Sequence, residues 1–375
     1  CIFELHTAAS TSDAVVDIAM PTNEACDFMH SLRDSDGMNK VWEAVTNVQV
    51  EHAEASAAED LKNILAVIER DAGFHVFNKQ VKEFLQKWIV DAVTAQLPVA
   101  EANVDIGPFR VSGELLLKVG QVDRAIETLD RGCTLLKQAN MLVSPAGADI
   151  LRWRGMAHIR KHDWEEGMHT FEKAKRIREQ TESLETLDGL ELLRSIAASK
   201  FWSKDIDGAL ADFEDLRLMT KKLGALETLH GAQLYCYLGR VKKKQGAFKS
   251  ALEYFEESLT LREKNGLCDP PTMGALLIDT GEAKGCLGDL EGEPECYNRA
   301  KNAFESSGTL ESPDGAGVLL SPGKFKQKIN DLDGALSFLQ AAETALRHSG
   351  GPTEDLQKVQ EEIRSIREMR SIRSI

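Results

Sequence analysis

The chain has 375 residues, 42% of them hydrophobic, and a formal net charge of −15. That is apolar material for one large core or one extended repeat core with an added module, and no run of 18 apolar residues is present to cross a membrane as a helix. The acidic balance argues against nucleic acid as a partner. Seven cysteines without a CxxC pair (Cys1, Cys26, Cys133, Cys236, Cys268, Cys286, Cys296) read as free thiols rather than as a disulfide framework or a zinc site.

Residues 1–35 read as an extended N-terminal arm, broken at Pro21 and followed by Gly37. The arm opens on Cys1 rather than Met, as a processed or partial product would, and the compartment stays open. A helical hairpin or cap is expected over 36–100. From about Met38 to Arg70, Val41, Val45, Val48, Ala55, Ala58, Leu61, Ile64, Leu65 and Ile68 fall on one stripe, which Gly73 ends. A second stripe, with Val81, Phe84, Leu85, Trp88, Ile89 and Val93, runs from about Phe77 to Gln96 and is expected to stop at Pro98.

One spacing organises residues 106–350. Gly113, Gly155, Ala197, Gly239, Gly281 and Gly323 stand 42 residues apart. Twelve residues after each comes Ala125, Gly167, Ala209, Ala251, Glu293 and Ala335, and four further on Leu129, Phe171, Phe213, Phe255, Tyr297 and Leu339. Such a period marks a helical array in which one helix–turn–helix unit cannot bury its apolar face alone, so units must stack. The small residue at Gly239 is expected to let the two helices of its unit cross closely, with Ala251 answering it and Phe255 filling the gap toward the next unit. The array falters at Glu293, where a small residue is due, and in the sixth unit. There Gly315, Gly317, Pro322 and Gly323 predict a short first helix starting near Pro322, since an interior proline costs roughly 3 kcal/mol. A last helix over 353–375, capped by Thr353 and carrying Leu356, Val359, Ile363, Ile366 and Met369, would close the array.

The pattern L-G-x(6)-G-x-[FY]-x(2)-A-x(3)-[FY] from Leu238 to Phe255 resembles the tetratricopeptide repeat (TPR). Its 42-residue period is similar to the long-helix subclass of kinesin light chains and LGN-type adaptors. The resemblance implies an all-α fold, an α-solenoid of about six TPR helix-turn-helix units with an N-terminal hairpin and a C-terminal capping helix. It also implies an inner groove lined by the first helix of each unit. Kinesin-type arrays hold peptide backbone there with an Asn pair; Cys236 and Tyr237 stand at that place in the fourth unit. Groove positions mapped unit by unit give Arg110, Arg152 and Arg194 as a ladder. Beside them fall Arg160, Phe201, Trp202, Arg240, Lys243, Lys244, Lys324 and Lys328, opposed by Glu114, Asp149, Glu191 and Glu282. Such a groove would grip an acidic peptide through arginine forks and aromatic anchors, or its cations would pair with their own acidic neighbours.

Other signals are fainter. His158 and His162, four apart beside Asp163, have a metal-like spacing without the glutamate a zinc hydrolase needs. Gly317 to Lys324 resembles a phosphate loop that is one residue too long. Arg364, Arg367, Arg370 and Arg373 form a basic face near the C-terminus. Trp42, Trp88, Trp153 and Trp164 are expected as core anchors. No nucleophile–base pair stands out, so the sequence predicts a non-enzymatic scaffold without cofactor or metal. It would bind other protein subunits as a component or assembly factor of a larger complex, such as a photosystem or respiratory assembly. The alternative is an adaptor that captures an acidic peptide segment in the basic groove.

Overall fold

The computed structural model describes residues 41, 45, 58–71, 73–266, 270–306, 310, 313–349 and 353–373. The N-terminal arm, most of the first cap helix with Trp42, and Cys1, Cys26 and Cys268 lie outside them; Val41 and Val45 are helical and Val45 is buried. Every regular element among the described residues is a helix. The chain divides into two compact units, Cys1–Gly224 and Ala225–Ile375, each a stack of helical hairpins.

The first unit begins with α1 (Ala58–Asp71) and α2 (Phe74–Thr94), separated at Gly73, whose φ of 76° requires the left-handed region. Ile68 of α1 packs on Phe77 and Val81 of α2. Farther along α2, Ile89, Val90 and Val93 enter the same core as Phe109 and Leu116. Pro98 does not end α2, which stops at Thr94. It sits instead in the first turn of a short α3 (Leu97–Ala102), where its missing N–H has no helical partner to lose. Three hairpins follow: α4 (Gly107–Lys118) with α5 (Val122–Gln138), α6 (Pro145–Arg160) with α7 (Trp164–Gln180), and α8 (Leu187–Trp202) with α9 (Ile206–Lys222).

The second unit holds α10 (Leu229–Lys244) with α11 (Phe248–Lys264), α12 (Pro270–Cys286) with α13 (Gly292–Ser306), and α14 (Pro313–Lys328) with α15 (Leu332–Ser349). The last helix, α16 (Thr353–Arg373), covers α15 with Val359, Ile363 and Ile366 buried and Leu356 and Met369 partly so.

The period is written into the backbone as well as the core. Within each hairpin the turn residue has positive φ at Gly120, His162, Lys204, Gly246, Gly288 and Asn330, each 42 residues from the last. In four of the six hairpins an aspartate directly after this turn residue caps the second helix, while Gln121 and Ala247 make no side-chain cap. Asp205, Asp289 and Asp331 accept the N–H of Gly208, Gly292 and Gly334 at 2.9, 2.8 and 2.9 Å. Ser144 and Thr186 cap α6 and α8 in the same way.

The small residues sit where a large partner lands sixteen positions later. A Cβ built on Gly113, Gly155, Gly239 or Gly281 would come within 2.5–2.7 Å of Leu129, Phe171, Phe255 or Tyr297. Phe255 therefore closes onto Gly239 of its own hairpin and, as expected, also joins the core of the next one with Leu276 and Leu277. Ala197 and Phe213 make the equivalent pair, both fully buried.

Two expected weak points are not weak. Glu293 is buried, but it faces Gly285, whose absent side chain leaves room for the carboxylate. In the second hairpin the sizes are reversed, and Ile159 lies against Gly167. The Tyr297 hydroxyl donates to Glu293 Oε1 at 3.1 Å and Lys328 Nζ lies 3.3 Å from Oε2, so the buried acid is satisfied. The short helix expected at Pro322 is also overturned: α14 runs from Pro313 through Pro322 to Lys328. Ala316, Val318, Leu319 and Phe325 are buried on both sides of the proline, and this packing outweighs the one lost helical hydrogen bond. Residues 317–324 are accordingly helix and form no phosphate loop.

Replacing Gly239 by Ala should destabilise the protein by about 1–3 kcal/mol, because the methyl must displace a ring with no space to retreat. Urea unfolding of the variant, with and without a compensating Phe255→Leu, would check this. A neutral Gly239→Ala would show that the close approach is not a packing constraint.

Candidate functional site

The first helix of each hairpin places its groove residues at a few fixed positions of the repeat. In the first unit this row is built from ion pairs. Arg110 Nη1 lies 3.3 Å from Glu114 and its Nε 3.6 Å from Asp149 of the following hairpin. Arg152 takes the other side of Asp149 at 3.1 Å, and its guanidinium stacks 4.5 Å from the Trp153 ring centre. Arg194 pairs with Glu191. Arg110 and Arg152 are only 9% and 7% exposed, so these two rungs form a buried seam between hairpins, while Arg194 is partly exposed and pairs within its own helix. Burial pushes the Glu114 carboxyl above its ordinary value, opposed by Lys118, Arg110 and Arg152.

Arg160 plays a different part from the one mapped for it. Its Nη1 donates to the Leu117 carbonyl at 2.7 Å, which also accepts the Gly120 N–H at 3.1 Å, tying the end of α6 to the last turn of α4. Lys328 stands four periods later and repeats the contact, donating to the Gly285 carbonyl at 3.1 Å. Of the two expected aromatic anchors, Phe201 belongs to the core while Trp202 is 55% exposed; their rings meet edge to face at 5.1 Å.

The second unit builds its row around Asp279, which the sequence pattern did not single out. Arg240 Nε donates to it at 2.6 Å, and Lys243 binds both Asp279 and, at 2.7 Å, Glu282. Burial alone would lower the Lys243 ammonium, but Asp279 and Glu282 together raise it. Lys324 lies 3.6 Å from Glu362 and remains exposed, as does Lys244 at the end of α10. Cys236 is buried and Tyr237 lies under the Arg240 guanidinium.

The acids that the sequence set against the basic row are its partners. Sequence reasoning missed Arg154 and Arg178. Arg154 joins three helices through Asp130 at 2.6 Å and Glu166 and Thr170 at 2.7 Å. Arg178 is 1% exposed, donates to the Ser183 carbonyl at 3.4 Å, and has its pKa lowered by burial. Arg178 and Arg262, both buried, lie two periods apart, a spacing that could have revealed them. His158 Nδ1 lies 3.1 Å from Asp163, while His162 forms the turn at φ 64°, and among the described residues no three His, Cys, Asp or Glu side chains converge as a metal site. Cys133, Cys236 and Cys296 are buried free thiols and Cys286 an exposed one; burial pushes Cys133 up to about 11. Among the described residues no helix is long and apolar enough to cross a membrane.

No family model matches the chain, and no curated protein matches it in sequence. Solved structures do match its fold. The Rap protein complexed with competence and sporulation factor aligns over 93% of this chain and 99% of its own, with a TM-score of 0.54 at 13% identity. The apo form of RapI aligns over 71% and 98%, with a TM-score of 0.50 at 14% identity. A putative kinesin light chain of Podosopora anserina with nearly identical TPR-like repeats covers 54% of this chain and 97% of its own, at a TM-score of 0.44 and 15% identity. The fold is an α-solenoid of the tetratricopeptide-repeat type.

Two substitutions test the charge seam. Asp149→Ala removes the acid that two largely buried guanidiniums share, leaving Arg110 with Glu114, and should cost about 1–3 kcal/mol in urea unfolding; a loss below the scatter of surface mutants would show the seam to be idle. Glu166 has its carboxyl held below the ordinary 4.5, chiefly by the hydrogen bond from Arg154. A carboxylate lowered in the folded state contributes stability above its unfolded value and loses it as pH falls through the folded value. The deficit of Glu166→Gln, about 1 kcal/mol or less for a group 36% exposed, should therefore be present at pH 7 and shrink below pH 4.5.

Proposed function

We propose that the protein is a non-enzymatic TPR scaffold that mediates protein–protein interaction as a subunit or assembly factor of a larger complex. The observation that carries this reading is the state of the basic row. Arg110, Arg152, Arg194, Arg240 and Lys243 are each engaged by an acid of the same array. A peptide competing for these cations must first break ion pairs that are partly or wholly desolvated, at the cost of leaving acids such as Glu114 and Asp149 unpaired. The array is thus suited to holding a fixed form on which partners assemble. This arrangement weighs against the alternative, an adaptor whose groove captures an acidic peptide by charge.

The N-terminal hairpin supports the scaffold reading further. Through Ile89, Val90 and Val93 it is continuous with the core of the first repeats, so a partner docked on it is rigidly coupled to the stack. Native mass spectrometry of the protein isolated from its source should find a stoichiometric protein partner that persists at high salt. A partner that dissociates with modest salt would favour the charge-driven adaptor instead.

A further inference from the structure

The basic row is neutralised, but the cap of the second unit carries cations that are not. On α16, Arg370 is committed to Asp333 at 3.0 Å. Arg364 and Arg367, one turn earlier, are exposed and form no hydrogen bond or ion pair with a described residue. Both border a cavity of about 240 Å³ between α15 and α16, together with Glu343, Gln360 and Ile363. Ile363 is almost wholly buried and supplies an apolar wall. Glu343 Oε1 accepts from Gln360 Nε2 at 2.9 Å and from Arg347 Nη2 at 2.7 Å, and Arg367 attracts the same carboxylate through space while staying exposed, so one acid faces three arginines.

We propose that this cavity docks a carboxylate side chain from an acidic segment of a protein partner, held by Arg364 and Arg367. The proposal rests on the scaffold reading and names one of its contact surfaces. Guanidinium groups pair with a carboxylate through parallel hydrogen bonds, and two of them on one helix face bracket a single acid. The methylenes of an entering Asp or Glu lie against Ile363. The Glu343 charge within the same cavity disfavours a dianion such as phosphate more than a monoanionic carboxylate. The net charge of −15 repels an acidic partner at long range, so the attraction is local and the acid must reach the cavity itself.

The test uses the full chain and a fluorescein-labelled octaglutamate peptide, followed by anisotropy at low ionic strength. The Arg364→Glu/Arg367→Glu double variant should lose about tenfold in affinity, while Lys244→Glu, an exposed groove control, should change little. Both arginines are exposed, and an unchanged helical CD spectrum and melting temperature would confirm that the variant folds. Unchanged affinity in the double variant overturns the proposal, as does equal binding of an octaglutamine peptide. Displacement by inorganic phosphate at concentrations comparable to the peptide would assign the cavity to phosphate, and arginine-dependent capture on phosphatidylserine vesicles without peptide binding would assign it to a lipid surface; either overturns it. If the stoichiometric partner is retained at full strength by the double variant, this site falls and the scaffold reading stands. If the arginines govern peptide binding but no partner accompanies the native protein, the site stands and the subunit reading falls.

Discussion

The contact on which this structure depends is the seating of a large side chain on a glycine sixteen residues earlier. Phe171 on Gly155 and Phe255 on Gly239 bring the two helices of a hairpin closer than any side chain at the glycine would permit. The spacing fixes the rest: sixteen residues is the distance down one helix, through a turn, and onto the second. The turn must then reverse the chain in three or four residues, which demands the positive φ at His162, Lys204 and Gly246, and the next helix must begin at once, which Asp163 and Asp205 reinforce as caps after the first two of these turns. Core, turn and cap are one constraint expressed at three places.

That constraint explains both what was legible in the sequence and what was not. The 42-residue recurrence of small and aromatic residues encodes a geometric necessity, so the α-solenoid could be read from it directly. Glu293 looked like a defect because the size of a residue was judged alone. Its partner Gly285 lies eight residues away on the facing helix, and only the pair has a volume. Pro322 looked like a helix break because local propensity was set against no packing; the buried residues on either side of it decide the matter. Charge was the least legible feature. The pattern placed Arg110, Arg152 and Asp149 on neighbouring faces correctly, but whether facing charges point outward or toward one another depends on side-chain geometry that periodicity does not carry.

The electrostatics of the array follow from stacking. An arginine at a given repeat position meets, one period later, the start of the next first helix, and an acid there pairs the two layers, as Asp149 does for Arg110 and Arg152. A cation near the end of a first helix donates to a last-turn carbonyl of the preceding one, as Arg160 does to Leu117 and Lys328 to Gly285. Neighbouring layers thus pair many of their charges with one another, and the buried Arg178 donates to the Ser183 carbonyl and lies 3.8 Å from Asp188.

On α16 the buried residues pack on α15 and close the core, while Arg364 and Arg367 stand exposed beside the cavity that Glu343 of α15 also borders. In this array an exposed arginine pair lies on the last described helix, whereas Arg110, Arg152, Arg194 and Arg240 of the first helices are engaged by acids. A partner that recognises charge should engage such an array where the period stops, and a partner that recognises form should engage it where the period holds. The regular hairpins here offer form, and the last helix offers charge.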